Sequence, residues 1–195
     1  LPTVQHSKKT GEVVFGFTYV ETPKKREPGK QKAGLDLGRV EPFTLAVLTE
    51  DGRRIADYTS SGRLKQASLK RDRLLLERKQ VLTKLDSYKA LDHNESKQVV
   101  LSRNAAFLRS KINRIGTHVA HQAGHEVAAI LSRHKANVLN VEDLSWAHGA
   151  KYGGRWNHSV QQEAITHALA REGVRTVKVN PKNTSQECHK CSAKI

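Results

Sequence analysis

The chain has 195 residues, with 34 Lys and Arg against 19 Asp and Glu, a formal net charge of +15 and only two cysteines. That length can bury a sizeable core as one large domain, or one domain with a small appendage, and two cysteines spaced C-x-x-C argue against a secreted disulfide framework. No apolar run approaches the roughly 20 residues that span a bilayer, and the first residues lack the apolar core of a signal peptide. We therefore expect a soluble, unexported, cytoplasmic protein. Its charge attracts polyanions, nucleic acid first, although a ribosomal protein, a DNA packer or a binder of anionic membranes would share that trait.

Residues 11–21, GEVVFGFTYVE, alternate as a strand does, and residues 22–32, TPKKREPGKQK, have the Pro, Gly and Lys of a linker. Residues 1–32 thus read as the tail of a preceding β domain. The chain opens on Leu1, contains no Met and stops four residues after Cys191, so we expect it to be a portion of something longer.

Three strands follow, at about 33–40, 43–48 and 53–58, and the turn Thr49-Glu50-Asp51-Gly52 makes the last two an antiparallel hairpin. The first holds KAGLDLG, residues 32–38, in which Asp36 interrupts what otherwise looks like a buried strand. A buried, unpaired carboxylate is costly, so the position asks for a cation or metal.

After Ser60-Ser61-Gly62 the period lengthens. Leu64, Ala67, Leu74, Leu75, Val81, Leu82, Leu85 and Tyr88 form one near-heptad stripe, and Ala105, Leu108, Ile112, Ile115, Val119, Ala123, Val127 and Ile130 form another. With residues 89–95 between them, the stripes predict an antiparallel helical hairpin joined by a packing seam. Residues 62–135 carry 16 Lys or Arg against 6 Asp or Glu. Lys70, Arg71, Arg73, Arg78, Lys79, Arg103, Arg109, Lys111 and Arg114 keep one sign over several turns, whereas a merely solvated face intersperses signs. We expect phosphate contacts there, which need only cationic side chains and carry no sequence information.

VLNVEDLSW, residues 138–146, is a short apolar run ending in Glu142 and Asp143. The loop SWAHGAKYGGRWNH then combines Gly, Arg155, Trp146, Tyr152 and Trp156, a composition suited to a lid that stacks on unpaired bases, or to ordinary packing of the tryptophans. Residues 159–173 predict an amphipathic helix stopped by Gly, and 174–179 a strand, which together make a parallel crossover. Three antiparallel strands, a helical region and a parallel βαβ unit describe an α/β, RNase H-like mixed sheet interrupted by the basic hairpin. If the strands holding Asp36 and Glu142 pair, the two carboxylates converge at the sheet's edge. Like charges make a poor pair alone but a good cradle for Mg²⁺ or Mn²⁺, and divalent ions about 4 Å apart can activate water and stabilise a leaving phosphodiester oxygen.

Cys188 and Cys191 supply two of the four ligands of a structural zinc site; a redox pair would need a thioredoxin-like βαβ context that is missing. His118, His121 and His125 share a helix face but flank the apolar stripe, so phosphate- or solvent-facing roles suit them better than metal binding.

Taken in order, GLDLG, NVEDLSW and NPKNTSQECHKC resemble the TnpB nucleases of transposons and the compact type V CRISPR effectors. The resemblance covers most of residues 33–191. It implies a RuvC-like nuclease of RNase H fold, with Asp36 as the first catalytic aspartate and Glu142 as the catalytic glutamate. It also implies that Thr184, Ser185, Gln186, Cys188 and Cys191 open a zinc ribbon, so that the segment from residue 182 is its partial start. In that family the third acid lies beyond a second C-x-x-C, neither of which is in this chain, so two of the three acids are expected here, and Ser192-Ala193 stands where Gly is usual. The implied activity is RNA-guided, Mg²⁺-dependent DNA cleavage, with guide RNA and target DNA as partners in a prokaryotic cytoplasm, at the nucleoid. Rivals are a guide-directed binder that does not cut, and an RNA-independent RuvC-like nuclease or transposase; a plain packing protein leaves the two acids unexplained.

Overall fold

The computed structural model describes residues 2–6, 13–17, 22–25, 29–90, 95–144 and 158–180. β1 (Pro2–His6) and β2 (Val13–Phe17) pair antiparallel as a two-stranded sheet. The second of these strands is expected from its alternation. The first is not, because PTVQH opens on Pro and Val4 is its one strongly β-prone apolar residue.

β3 (Gln31–Leu37), β4 (Phe43–Leu48), β5 (Arg54–Thr59), β6 (Ala136–Glu142) and β7 (Arg175–Val179) form one mixed sheet in the order β5-β4-β3-β6-β7. β5, β4 and β3 are mutually antiparallel, while β3, β6 and β7 run parallel. β3 ends earlier than its sequence suggests, since Gly38 N–H donates to the Pro42 carbonyl (3.4 Å) and closes the turn into β4.

The hairpin is α1 (Gly62–Ala90) and α2 (Glu95–Arg133), and α3 (His158–Arg171) crosses from β6 to β7. Ser61 caps α1, its Oγ accepting from Leu64 N–H at 3.4 Å. Arg78 Nε donates to the Ala105 carbonyl at 3.4 Å and Gln98 Nε2 to the Tyr88 carbonyl at 3.3 Å, which fixes the two helices antiparallel. Every residue of the two predicted stripes is buried or half-buried.

The 39 residues of α2 serve two cores. Its first half packs Leu108 and Ile112 on Leu74 of α1. Its second half joins the main core, where Val119, Ala123, Val127 and Leu131 meet Ala33, Leu35, Leu45 and Leu139 of the sheet and Ile165 and Leu169 of α3. Close approach of α3 depends on Gly124, where a Cβ would lie 2.9 Å from the Ala164 carbonyl oxygen and 3.2 Å from Ala168 Cβ. α2 and α3 therefore cover one face of the sheet.

Candidate active site

Strand alternation sends Ala33, Leu35 and Leu37 into the core and Gly34 and Asp36 to the opposite face. Asp36 is consequently exposed, which corrects the expectation that its carboxylate is buried and demands a cation on that ground. Hydration is available to it. The placement still matters, because β3 and β6 are in register with Gly34 opposite Asn140 and Leu35 opposite Val141. One step further along, Asp36 and Glu142 stand side by side at the carboxyl ends of neighbouring parallel strands that lie about 4.8 Å apart. Val141 is buried and Glu142 half-buried, so Glu142 shares the Asp36 face. The pair sits on the third and fourth of five strands, not at a sheet edge.

Asp143 belongs elsewhere. Its backbone N–H donates to the Val179 carbonyl at 2.8 Å and its side chain lies 3.7 Å from Lys178 Nζ, so the two consecutive acids are split between different surroundings.

The ends of both strands are held by neighbours that the sequence did not single out. Gly38, two residues past Asp36, has no room for a side chain: a Cβ would collide with the Glu41 carbonyl oxygen. The turn it opens is tied to α1 by Arg39–Asp72 (3.0 Å) and Lys65–Glu41 (3.3 Å), and Ser60 Oγ donates to Glu41. From the other side, buried Gln161 of α3 donates to the Pro42 carbonyl, while Gln162 Nε2 donates to the Glu142 carbonyl at 3.0 Å. Two adjacent amides thus fasten the β3–β4 turn and the end of β6 to one helix. In the sequence QQ reads as a polar face of a helix, and no local signal marks it as a clamp.

A pair of carboxylates on one face is a hard-oxygen donor set suited to Mg²⁺ or Mn²⁺. Among the described residues no group of three His, Cys, Asp or Glu gathers as a metal site. Cys188 and Cys191, the Thr184–Gln186 segment, Arg155, Trp146, Tyr152 and Trp156 lie outside the described residues. His118, His121 and His125 are exposed, and His121 and His125 line a groove of about 650 Å³ with Glu163, His167 and Arg171 of α3.

The basic residues divide into two groups. Lys70, Arg73, Lys79, Arg103, Arg109 and Arg114 are exposed. Arg71 and Arg78 are half-buried, Arg78 stapling α1 to α2. Burial holds the Arg71 guanidinium below its ordinary pKa; Asp72 opposes that shift and Arg39 adds to it. Lys111 is half-buried with its ammonium 6.0 Å from the Phe107 ring centroid.

Comparison with known proteins agrees with the resemblance drawn from the three motifs. Residues 158–195 match the family model described as Cas12f1-like, TNB domain. The fold is similar to that of Cas12f1 in its complex with sgRNA and target DNA, at 20% identity and a TM-score of 0.65 over 98% of this chain and 38% of that one. A CRISPR-Cas12f ternary complex gives 20% identity and a TM-score of 0.62, covering 97% of this chain and 37% of the other. CasPhi-2 (Cas12j) bound to crRNA is more distant, at 13% identity and a TM-score of 0.53 over 84% of this chain and 42% of that one. The chain thus spans well under half the length of these solved relatives. No curated protein matches it in sequence. Among the described residues no helix is long and apolar enough to cross a membrane.

Proposed function

We propose that the chain is the nuclease portion of an RNA-guided DNA endonuclease, acting on phosphodiesters at a RuvC-like carboxylate site. The observation that carries this reading is the register of two parallel central strands, Leu35 opposite Val141, after which Asp36 and Glu142 are the next residues. The likeness of the whole described fold to Cas12f1 supports it. In this reading residues 33–60 and 137–181 are the two parts of an RNase H-like domain, residues 61–136 are its basic insertion, and residues 182–195 begin a zinc ribbon at Cys188 and Cys191.

Asp36 and Glu142 would hold Mg²⁺ or Mn²⁺, with a third acid supplied from outside the described residues. When bound, the ion supplies charge for the developing oxyanion and lowers the pKa of coordinated water. The chain's own part is positional. β3 and β6 present the two carboxylates at strand spacing, the tight turn at Gly38 leads β3 into β4, and Gln162 donates to the Glu142 backbone. The exposed cations of α1 and α2 would hold a guide–target heteroduplex by its backbone, leaving sequence choice to base pairing. A site with two acids in view also suits a guide-directed binder that no longer cuts.

The test pairs cleavage with direct binding. Guide-loaded full-length protein is expected to cut matched DNA in Mg²⁺, and Asp36→Ala or Glu142→Gln to lower the rate by at least a hundredfold. Mn²⁺ binding followed by electron paramagnetic resonance should weaken in both variants. Equal cleavage by wild type and Asp36→Ala rejects the assignment; metal binding without cleavage selects the non-cutting binder.

A further inference from the structure

The outer face of α2 has a surface that the carboxylate site does not use. Phe107 is 63% exposed and Val100, two helical turns before it, is 64% exposed. Spacing puts Arg103, Phe107, Lys111 and Arg114 on one side of the helix, opposite Ala105, Leu108 and Ile112, which are buried. Lys111 Nζ stands 6.0 Å from the Phe107 ring centroid. An apolar ring left in water is a cost, and the acidic and basic residues of this stretch of α2 are all of one sign: from Ser96 to His125 the helix contains no Asp or Glu.

That uniform charge decides the occupant. A second copy of the chain docked through this same face would bring the same cations against themselves, and an ordinary protein surface of mixed sign would satisfy only some of them. Phosphates satisfy all of them, and a base satisfies the ring. Bases inside a duplex are already stacked on each other, so only an unpaired stretch can lay a base on Phe107 while its flanking phosphates meet Arg103 and Arg114. We propose that this face of α2 is a stacking platform for an unpaired segment of nucleic acid. It rests on the reading of the chain as a nucleic-acid-binding protein but not on its being a nuclease, and it adds base contact to what is otherwise backbone contact.

The probe is a short single-stranded oligothymidylate with one 2-aminopurine, titrated with the protein. Stacking on Phe107 should change the 2-aminopurine fluorescence. Phe107→Ala should abolish that change and weaken binding about tenfold, as expected for loss of one stacked base. Phe107→Trp should retain both. The salt dependence should be the same in Phe107→Ala as in wild type, since no charge is removed, whereas Arg114→Ala should flatten it. An oligonucleotide abasic at the probe position should erase the difference between wild type and Phe107→Ala. The proposal is overturned if Phe107→Ala binds and responds as wild type does, or if wild type binds none of these oligonucleotides. Sedimentation showing that Phe107→Ala breaks up an oligomer, with oligonucleotide affinity unchanged, would overturn it in favour of a second copy. Asp36→Ala separates the two readings: the fluorescence response should survive in it, whatever becomes of cleavage.

Discussion

At the scale of single residues, the candidate site is two carboxylates and the groups that hold the ends of their strands. Asp36 reads in the sequence as an acid among apolar neighbours, and alternation gives the simple resolution that it faces away from them. Gln162 is the less obvious participant, because its amide holds the Glu142 carbonyl rather than any reacting group. Removing it leaves that acceptor without this donor, at about 1 kcal/mol for one hydrogen bond. Gln162→Ala is expected to lower the unfolding free energy by that amount and to weaken Mn²⁺ binding several-fold, read from denaturation and from a metal titration of the same samples. Gln162→Glu keeps the length but sets an acceptor against an acceptor, so it should do no better than alanine. A variant with unchanged metal affinity would show that the clamp serves the fold alone.

Among the elements, α2 carries the most. Its first half closes the hairpin with α1, its second half roofs the sheet, and Gly124 lets α3 settle against it. Inserting a branched side chain there forces the helices apart. Gly124→Val is expected to destabilise by about 1–3 kcal/mol, the usual range for overpacking, despite removing a glycine from a helix. The midpoint of urea unfolding should fall with little change in slope. The apolar stripe of α2 was legible because the 3.6-residue period is local. Ala120, Ala128 and Leu131, which widen the buried sector beyond that stripe, were not, because the sheet and α3 (residues 158–171), which pack on this half of α2, are distant from it in sequence.

For the whole molecule, the charge of +15 is unevenly spread, with the hairpin holding the greatest share. Lys70, Arg103 and Arg109 are exposed and lie outside the candidate active site. Changing all three to Ala should leave the melting temperature almost unchanged, since exposed cations add little to stability. The same change should weaken nucleic-acid binding and reduce the slope of log affinity against log salt by about 2–3, which a titration series over salt concentration measures.

From residue 11 onward the sequence by itself determined the kinds and order of the elements, the two seams of the hairpin, the basic bias and the three motifs, all of which are written in neighbouring residues and their periods. It also supplied Asp36 and Glu142 as candidates, through motif order. Only the tertiary structure decided that these acids are adjacent, that Asp36 is exposed, that Asp143 turns to Lys178, and that two glutamines of α3 fasten both strand ends. The reason is physical. Periodicity reports which side of an element is apolar, whereas register and facing arise from pairing across more than a hundred residues, where a slip of one position would carry Glu142 to the other face of the sheet.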